Sequence, residues 1–456
     1  MTAAVALAED CELPDVDVAL RRAVTRLTRS DADFWSFCTD RRSCSPAYFQ
    51  YPAMMVPTMQ REILRVLLHL QPGVCSALDP FAGSGTILVE ALHAGIDAHA
   101  QDINPLAVLL CKVKISNIRN TALRTATTAA AVRARADASR SIEAKFPTLR
   151  KWFRNSTLLE LSRLRRSIRR VPDLAVRRFL WVALAETVRV TSNSRTSTYK
   201  LHIRPDHEIS ALPSAQLVFE RVLERNLCDH AKFELDCHAN GRAEHAAPRP
   251  RITISLRDSR RPFHRRYDLL VTSPPYGDNV STVPYGQAAF LPLHWIDLED
   301  IDAAATSDNL RTSHEVDRRS LGGQRTRRGD LSTHYLELLQ QSDSLRRFFR
   351  RLRDLPRDRS SRVLAFAKDL ADSVAAATRA INVNGYLLWT VGNRWVGGME
   401  FPLAQILSEL LVGAGAIPVL TIRRRIHQKR MPFRNATSKT MRRESVLVFR
   451  QLPRAV

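Results

Sequence analysis

Apolar and polar positions along the chain divide it into stretches of different periodicity. Residues 1–50 form a partly helical lead-in. From Tyr51 the segment YPAMMVP runs into an amphipathic helix, with Ile63, Val66, Leu67 and Leu70 at helical spacing. The apolar stretch Val74–Leu78 predicts a strand, broken by a glycine loop and followed by a helix over Ile87–His93. A second short strand, Asp97–Gln101, ends on Asp102. Strand, glycine loop, helix, strand and acid in that order make a βαβ unit of an open parallel sheet.

The alternation then stops. From about 117 to 240 the pattern is mostly helical, rich in alanine and arginine and almost free of glycine. Strand-like patterning resumes at Arg251–Leu256, followed by Asp258, and again at Tyr267–Thr272, which runs into SPPYG. Residues 278–355 read as polar and loop-rich, and a helix over about 361–380 precedes a strand at Tyr386–Val391. Ile417–Ile426 and Ser445–Phe449 read as two strands joined by a basic loop, close enough to pair antiparallel at the sheet edge. The expected fold class is α/β: a doubly wound, Rossmann-like sheet with a terminal antiparallel hairpin and a helical insertion. The expected units are the lead-in 1–50, a first sheet-forming part 51–116, a basic helical insertion 117–245 and a second sheet-forming part 246–456.

Composition adds a partner. The 456 residues are 45% hydrophobic, enough for a sizeable core, and the net charge of +23 favours a polyanion. No run of about 18 apolar residues exists, so nucleic acid is preferred to a membrane. Met1–Glu12 carries acids and no basic stretch, which is unlike a signal peptide. Seven cysteines without CxxC spacing point to a reduced, cytoplasmic chain with no zinc ribbon, and no metal ligand is expected.

The loop Asp79-Pro80-Phe81-Ala82-Gly83-Ser84-Gly85-Thr86 sits where a strand hands over to a helix. Glycines there let backbone approach a ligand closely, and the helix start offers unpaired N–H groups. Neither GxGxxG nor GK[ST] is present, which excludes the nicotinamide fingerprint and the P-loop. Asp102 stands where an acid can hold ribose hydroxyls, and a carboxylate suits a neutral diol and a sulfonium better than a phosphate. DPFAGSGT and the following QDINP resemble the amino-methyltransferase family of bacterial DNA-modification enzymes. The terminal hairpin is how the methyltransferase fold differs from that of a nicotinamide dehydrogenase. The resemblance implies S-adenosylmethionine as cofactor, held by the loop Asp79–Thr86 and by Asp102, Ile103 and Asn104. It also implies that Tyr51 packs over the cofactor's methionine end and that Asp258 meets its adenine amino group. The bland alternative for Asp258 is a solvated acid paired with Arg257 or Arg260.

Ser273-Pro274-Pro275-Tyr276 directly follows an apolar strand. Two prolines lack N–H groups, so the backbone leaves the ladder and presents its carbonyls. Methylating an aryl amine needs acceptors for its two hydrogens, and the Ser273 hydroxyl and the Pro274 carbonyl can supply them. Tyr276 can stack on a base rotated out of the duplex. SPPY resembles the form this family uses for cytosine N4, whereas Asp-Pro-Pro-Tyr is commoner for adenine N6. No Pro-Cys pair occurs, which disfavours a covalent C5 mechanism. Gly277-Asp278-Asn279-Val280 and Tyr285-Gly286-Gln287 extend the expected substrate wall.

Three basic segments compete for the DNA backbone: the run Arg163, Arg165, Arg166, Arg169, Arg170 with Arg195 and Lys200; the stretch 278–355; and the terminal loop with Arg425, Lys429 and Arg430. The expectation is therefore a nucleoid-associated DNA cytosine-N4 methyltransferase, with a cognate restriction endonuclease as a candidate partner. Adenine-N6 methylation and RNA base-amine methylation are the alternatives on the same scaffold, and a DNA-binding protein with an inactive methyltransferase fold is the alternative of another class.

Overall fold

The computed structural model describes residues 15–31, 33–37, 47–237, 249–279, 282–324, 334–351, 357–426, 441 and 443–453. Helix α1 (Asp15–Ser30) precedes α2 (Pro57–Leu70), whose Pro57 occupies the first turn, where its missing N–H costs nothing. The helix therefore starts on the last residue of YPAMMVP, and the six residues before it are not helical. Strand β1 (Ser76–Asp79), α3 (Thr86–Ala94) and β2 (Asp97–Asp102) form the βαβ unit read from the pattern. Helix α4 (Pro105–Lys114) follows, with the Asn104 side chain accepting from Leu106 N as its N-cap.

The insertion contains four long helices, α5 (Asn120–Ala136), α6 (Asn155–Arg169), α7 (Leu174–Thr191) and α8 (Ala215–Cys237). The middle of α7 is apolar all round: Leu180 through Ala185 have no measurable exposure, as befits a helix in an interior. Strands β3 (Ile252–Leu256) and β4 (Tyr267–Thr272) come next, then helix α9 (Tyr285–Leu293). The region expected to be loop-rich carries further helical turns at Leu298–Ile301, Glu315–Arg319, His334–Gln341 and Asp343–Arg351. Its apolar residues are sparse, yet Trp295, Ile296, Ile301, Val316 and Leu345 are buried, so packing overrides a weak local pattern. Helix α10 (Arg357–Arg379) leads into β5 (Ile381–Val391), which begins five residues before the predicted strand. A small hairpin of β6 (Arg394–Val396) and β7 (Met399–Phe401) precedes α11 (Leu403–Gly413), an element the pattern reading did not assign. The last strands are β8 (Ala416–Arg425) and β9 (Arg443–Gln451).

Seven strands form one sheet in the order β3-β2-β1-β4-β5-β9-β8. The first five are parallel, and β9 runs antiparallel between β5 and β8. This is the Rossmann-like methyltransferase sheet with its terminal antiparallel hairpin; the last strand lies inside the sheet and β8 takes the edge. Strand periodicity divides the core into two layers. Ala77, Leu269, Val271, Tyr386, Leu388, Val446 and Val448 face the layer that holds α2, α4 and the insertion helices. Leu78, Leu270, Leu387, Trp389, Leu447 and Phe449 face α10 and α11. The insertion thus shares one continuous apolar core with the sheet. Among the described residues no helix is long and apolar enough to cross a membrane.

Candidate cofactor and catalytic loops

The two signature loops leave neighbouring strands. β1 and β4 pair in parallel, so Asp79 and Thr272 end side by side, and Thr272 Oγ1 donates to Asp79 Oδ1 at 2.6 Å. Asp79 Oδ1 also accepts from Phe81 N at 3.0 Å, which turns the chain out of the strand. Its Oδ2 is buried and has no hydrogen-bond partner. Burial raises the Asp79 carboxyl to a pKa of about 7.

The glycine loop then folds against Asp102. Gly83 and Gly85 have φ of +49° and +77°, values that a side chain disfavours. A Cβ on Gly85 would stand 2.9 Å from Cys111 Sγ on α4, so the loop and that helix meet at backbone distance. Asp102 Oδ2 accepts from Gly83 N and Oδ1 from Asn104 N, both at 2.8 Å. Burial raises this carboxyl too, to about 6, against the pull of those backbone donors. Ala82 N donates to Gln101 O at 3.0 Å, which fastens Pro80–Ala82 to the end of β2. Ser84 and Thr86 are buried beside one another, their hydroxyls 3.4 Å apart.

Tyr51 is brought to the same place. Asn104 Nδ2 donates to its hydroxyl at 3.1 Å, and a Cβ on Gly83 would lie 3.7 Å from its ring. Tyr285 of α9 lies against Tyr51, with ring centroids 5.6 Å apart. Ile103 links Asp102 to the cap residue. The wall formed by Tyr51, the glycine loop, Asp102–Asn104 and Tyr285 is therefore continuous. Asp258 follows β3, but both its oxygens accept from Arg260, the closest at 2.6 Å, and Arg260 is anchored in turn on Asp369 at 2.7 Å. Burial alone would raise the Asp258 carboxyl; the Arg260 hydrogen bonds outweigh it and hold it below the ordinary range.

Ser273-Pro274-Pro275-Tyr276 emerges from β4 as irregular backbone, as two prolines require. Ser273 Oγ lies 3.3 Å from Tyr276 Oη. The next residues are held from outside the loop: Arg394, on β6, donates to the buried Asp278 at 3.3 Å. Its guanidinium lies over Gly277, where a Cβ would come within 1.8 Å of Nη1. Burial lowers the Arg394 pKa despite Asp278 beside it. Asp317 accepts from Gly286 N at 2.8 Å and fixes the start of α9; burial raises it to about 6. Arg394, Asp317 and Tyr276's partner Glu444 sit 116, 31 and 168 residues from the groups they hold, and no local spacing announces them.

The basic segments fare differently. Arg195 and Lys200 are exposed on an irregular loop closed by the Ser194–Ile203 bridge. That loop reaches the site, because Leu201 N donates to Gln287 Oε1 of α9 at 3.0 Å. Arg425 is exposed at the end of β8, whereas Lys429 and Arg430 lie outside the described residues. In the helical arginine run, three of the five guanidiniums are engaged in ion pairs, while Arg170 is exposed. Arg165 and Arg169 bind Asp297 at 2.8 and 2.7 Å, and Arg166 binds Asp137 at 2.7 Å and Glu143 at 3.1 Å. Those three guanidiniums tie the loop 137–143 and Asp297 to α6.

No protein-family model matches this chain. It is 28% identical over 429 residues to "Type II methyltransferase M.MvaI" of Kocuria varians, an alignment that covers 90% of each protein. The similarity thus spans the insertion as well as both loops.

Proposed function

We propose that this chain transfers a methyl group from S-adenosylmethionine to the exocyclic N4 amine of a cytosine flipped out of double-stranded DNA. One observation carries the reading: the Ser-Pro-Pro-Tyr loop and the glycine loop leave adjacent parallel strands, joined by the Thr272–Asp79 hydrogen bond. A methyl acceptor held by the first can therefore face a cofactor held by the second. The name of the Kocuria relative supports a site-specific DNA methyltransferase.

The residues present fit the cofactor. Asp79 Oδ2, a buried acceptor without a partner, suits the ammonium of its methionine part, and Tyr51 with Ala82–Gly85 would line that end. Asp102 retains lone pairs for ribose hydroxyls. Asp258 is paired with Arg260, the alternative reading of that acid, and would meet the adenine amino group only through lone pairs which that pair leaves over. When bound, S-adenosylmethionine supplies an electrophilic methyl group. The protein's task is to orient the amine: Ser273 Oγ and Pro274 O accept its two hydrogens and leave the nitrogen lone pair to attack. Tyr276 offers a ring face to the base, and Pro275 keeps the loop from folding back into a ladder. Alignment of this kind is worth up to about 7–11 kcal/mol of barrier.

Arg195, Lys200 and Arg425 are the exposed cations we assign to the DNA backbone, with Lys429 and Arg430 further along the chain. Such an enzyme would work at the nucleoid and protect sites from a cognate restriction endonuclease. The test is incubation of the full chain with labelled cofactor and duplex DNA, followed by digestion to nucleosides. Label in N4-methylcytosine is expected. Label only in N6-methyladenine removes the cytosine assignment, and transfer to tRNA without transfer to DNA removes the DNA assignment.

A further inference from the structure

We propose that Glu444, on the last strand of the sheet, is a positioning residue for Ser273 and acts through Tyr276. This rests on the amine-methylation reading above. Tyr276 Oη donates to Glu444 Oε1 at 3.1 Å, and Ser273 Oγ lies 3.3 Å from the same phenol oxygen. Glu444 Oε2 accepts from Arg424 Nε at 2.7 Å across the β8–β9 pair, and both side chains are at most 14% exposed. Arg424 on β8, Glu444 on β9, and Tyr276 and Ser273 on the loop after β4 thus form one hydrogen-bonded line that ends at the catalytic serine.

Proton counting gives the line its direction. A phenol has one proton, and a carboxylate is the stronger acceptor for it. With that proton committed to Glu444, the Tyr276 oxygen can only accept, so the Ser273 hydroxyl donates to it. Ser273 then turns lone pairs and no proton toward the site. An amine that must shed hydrogen-bonded protons as it attacks needs such an acceptor. Without Glu444 the phenol can donate to Ser273, whose own proton is then free to point at the amine N–H. The same bond tethers the ring: Tyr276 Cε2 would be only 3.2 Å from a Cβ on Gly392, so the ring lies directly on the backbone that ends β5. Its plane is set before any base arrives.

The experiment compares wild type with E444A, E444Q, Y276F and the double variant E444A/Y276F in the full chain, with melting curves for each. Single-turnover methyl transfer and cofactor affinity are measured on duplex DNA. E444A and Y276F should each slow transfer about ten- to a hundredfold with cofactor affinity unchanged. E444Q should retain most of the rate, because its amide oxygen still accepts from the phenol. The double variant should be no slower than the slower single one, as for two groups in one line. An E444A rate within twofold of wild type, or losses that multiply in the double variant, overturns the proposal. If E444A does not fold, Y276F decides, since its unchanged rate would overturn the proposal equally. A wild-type chain that methylates no nucleic acid overturns the underlying reading and this inference with it, an outcome distinct from an active wild type with an active E444A.

Discussion

Asp79 and Asp102 are where burial and function pull in opposite directions. Desolvation raises both carboxyls, to about 7 and about 6. Their folded values lie above the unfolded one, so the folded chain holds extra protons between about pH 4 and 7. Stability from this source is therefore greatest at the acid end and declines as pH rises through that window. A ligand bearing positive charge favours the ionised forms. Binding of S-adenosylmethionine should accordingly release protons near pH 6.5 and strengthen as pH rises from 6 to 8. Calorimetry in two buffers of different ionisation enthalpy measures the release directly. A heat independent of buffer, with affinity flat across that range, would refute the placement of a cationic group beside Asp79. These two acids were legible in the sequence because a glycine loop and a strand-ending acid are local features. The orphaned oxygen of Asp79 was not, since it depends on Thr272 occupying the other one.

At the scale of elements, α6 shows how composition misleads. Its arginines look like a phosphate-binding stripe, yet Arg165 and Arg169 converge on Asp297, a side chain 15% exposed. Surface ion pairs are worth little, but a partly buried carboxylate shared by two guanidiniums is worth more, because removing it strands charge away from water. Asp297→Ala should destabilise the fold by about 1–3 kcal/mol while DNA affinity at fixed salt stays as it was. Denaturant melts and filter binding on the same preparation check both halves; weaker DNA binding with unchanged stability would return α6 to the DNA interface. The helical character of the insertion was readable from its pattern, though not its separate helices, and β1, β2, β4 and the terminal pair were readable as strands. Helix α9, the helical turns of 298–351 and α11 were not, because they are fixed by what packs on them: Tyr285 on Tyr51, Asp317 on Gly286, Phe348 on Phe401.

For the whole molecule, the net charge of +23 remains after the internal pairs are formed, and under the proposed function it would make binding to DNA a counterion-release reaction. Nonspecific affinity should fall by about 10³–10⁵ between 50 and 200 mM salt if six to ten phosphates are contacted. A titration across that range checks it, and a shallow slope would confine the charge to folding. The sequence alone determined the parallel sheet, the terminal hairpin and both signature loops, because each is written in consecutive residues obeying a period of two, a glycine turn or a proline stop. Tertiary structure decided which arginines face outward, what holds Tyr276 and how the insertion shares the core. Those depend on partners distant in the chain: Glu444 lies 168 residues beyond Tyr276, and only the strand order β4-β5-β9 brings them within a hydrogen bond.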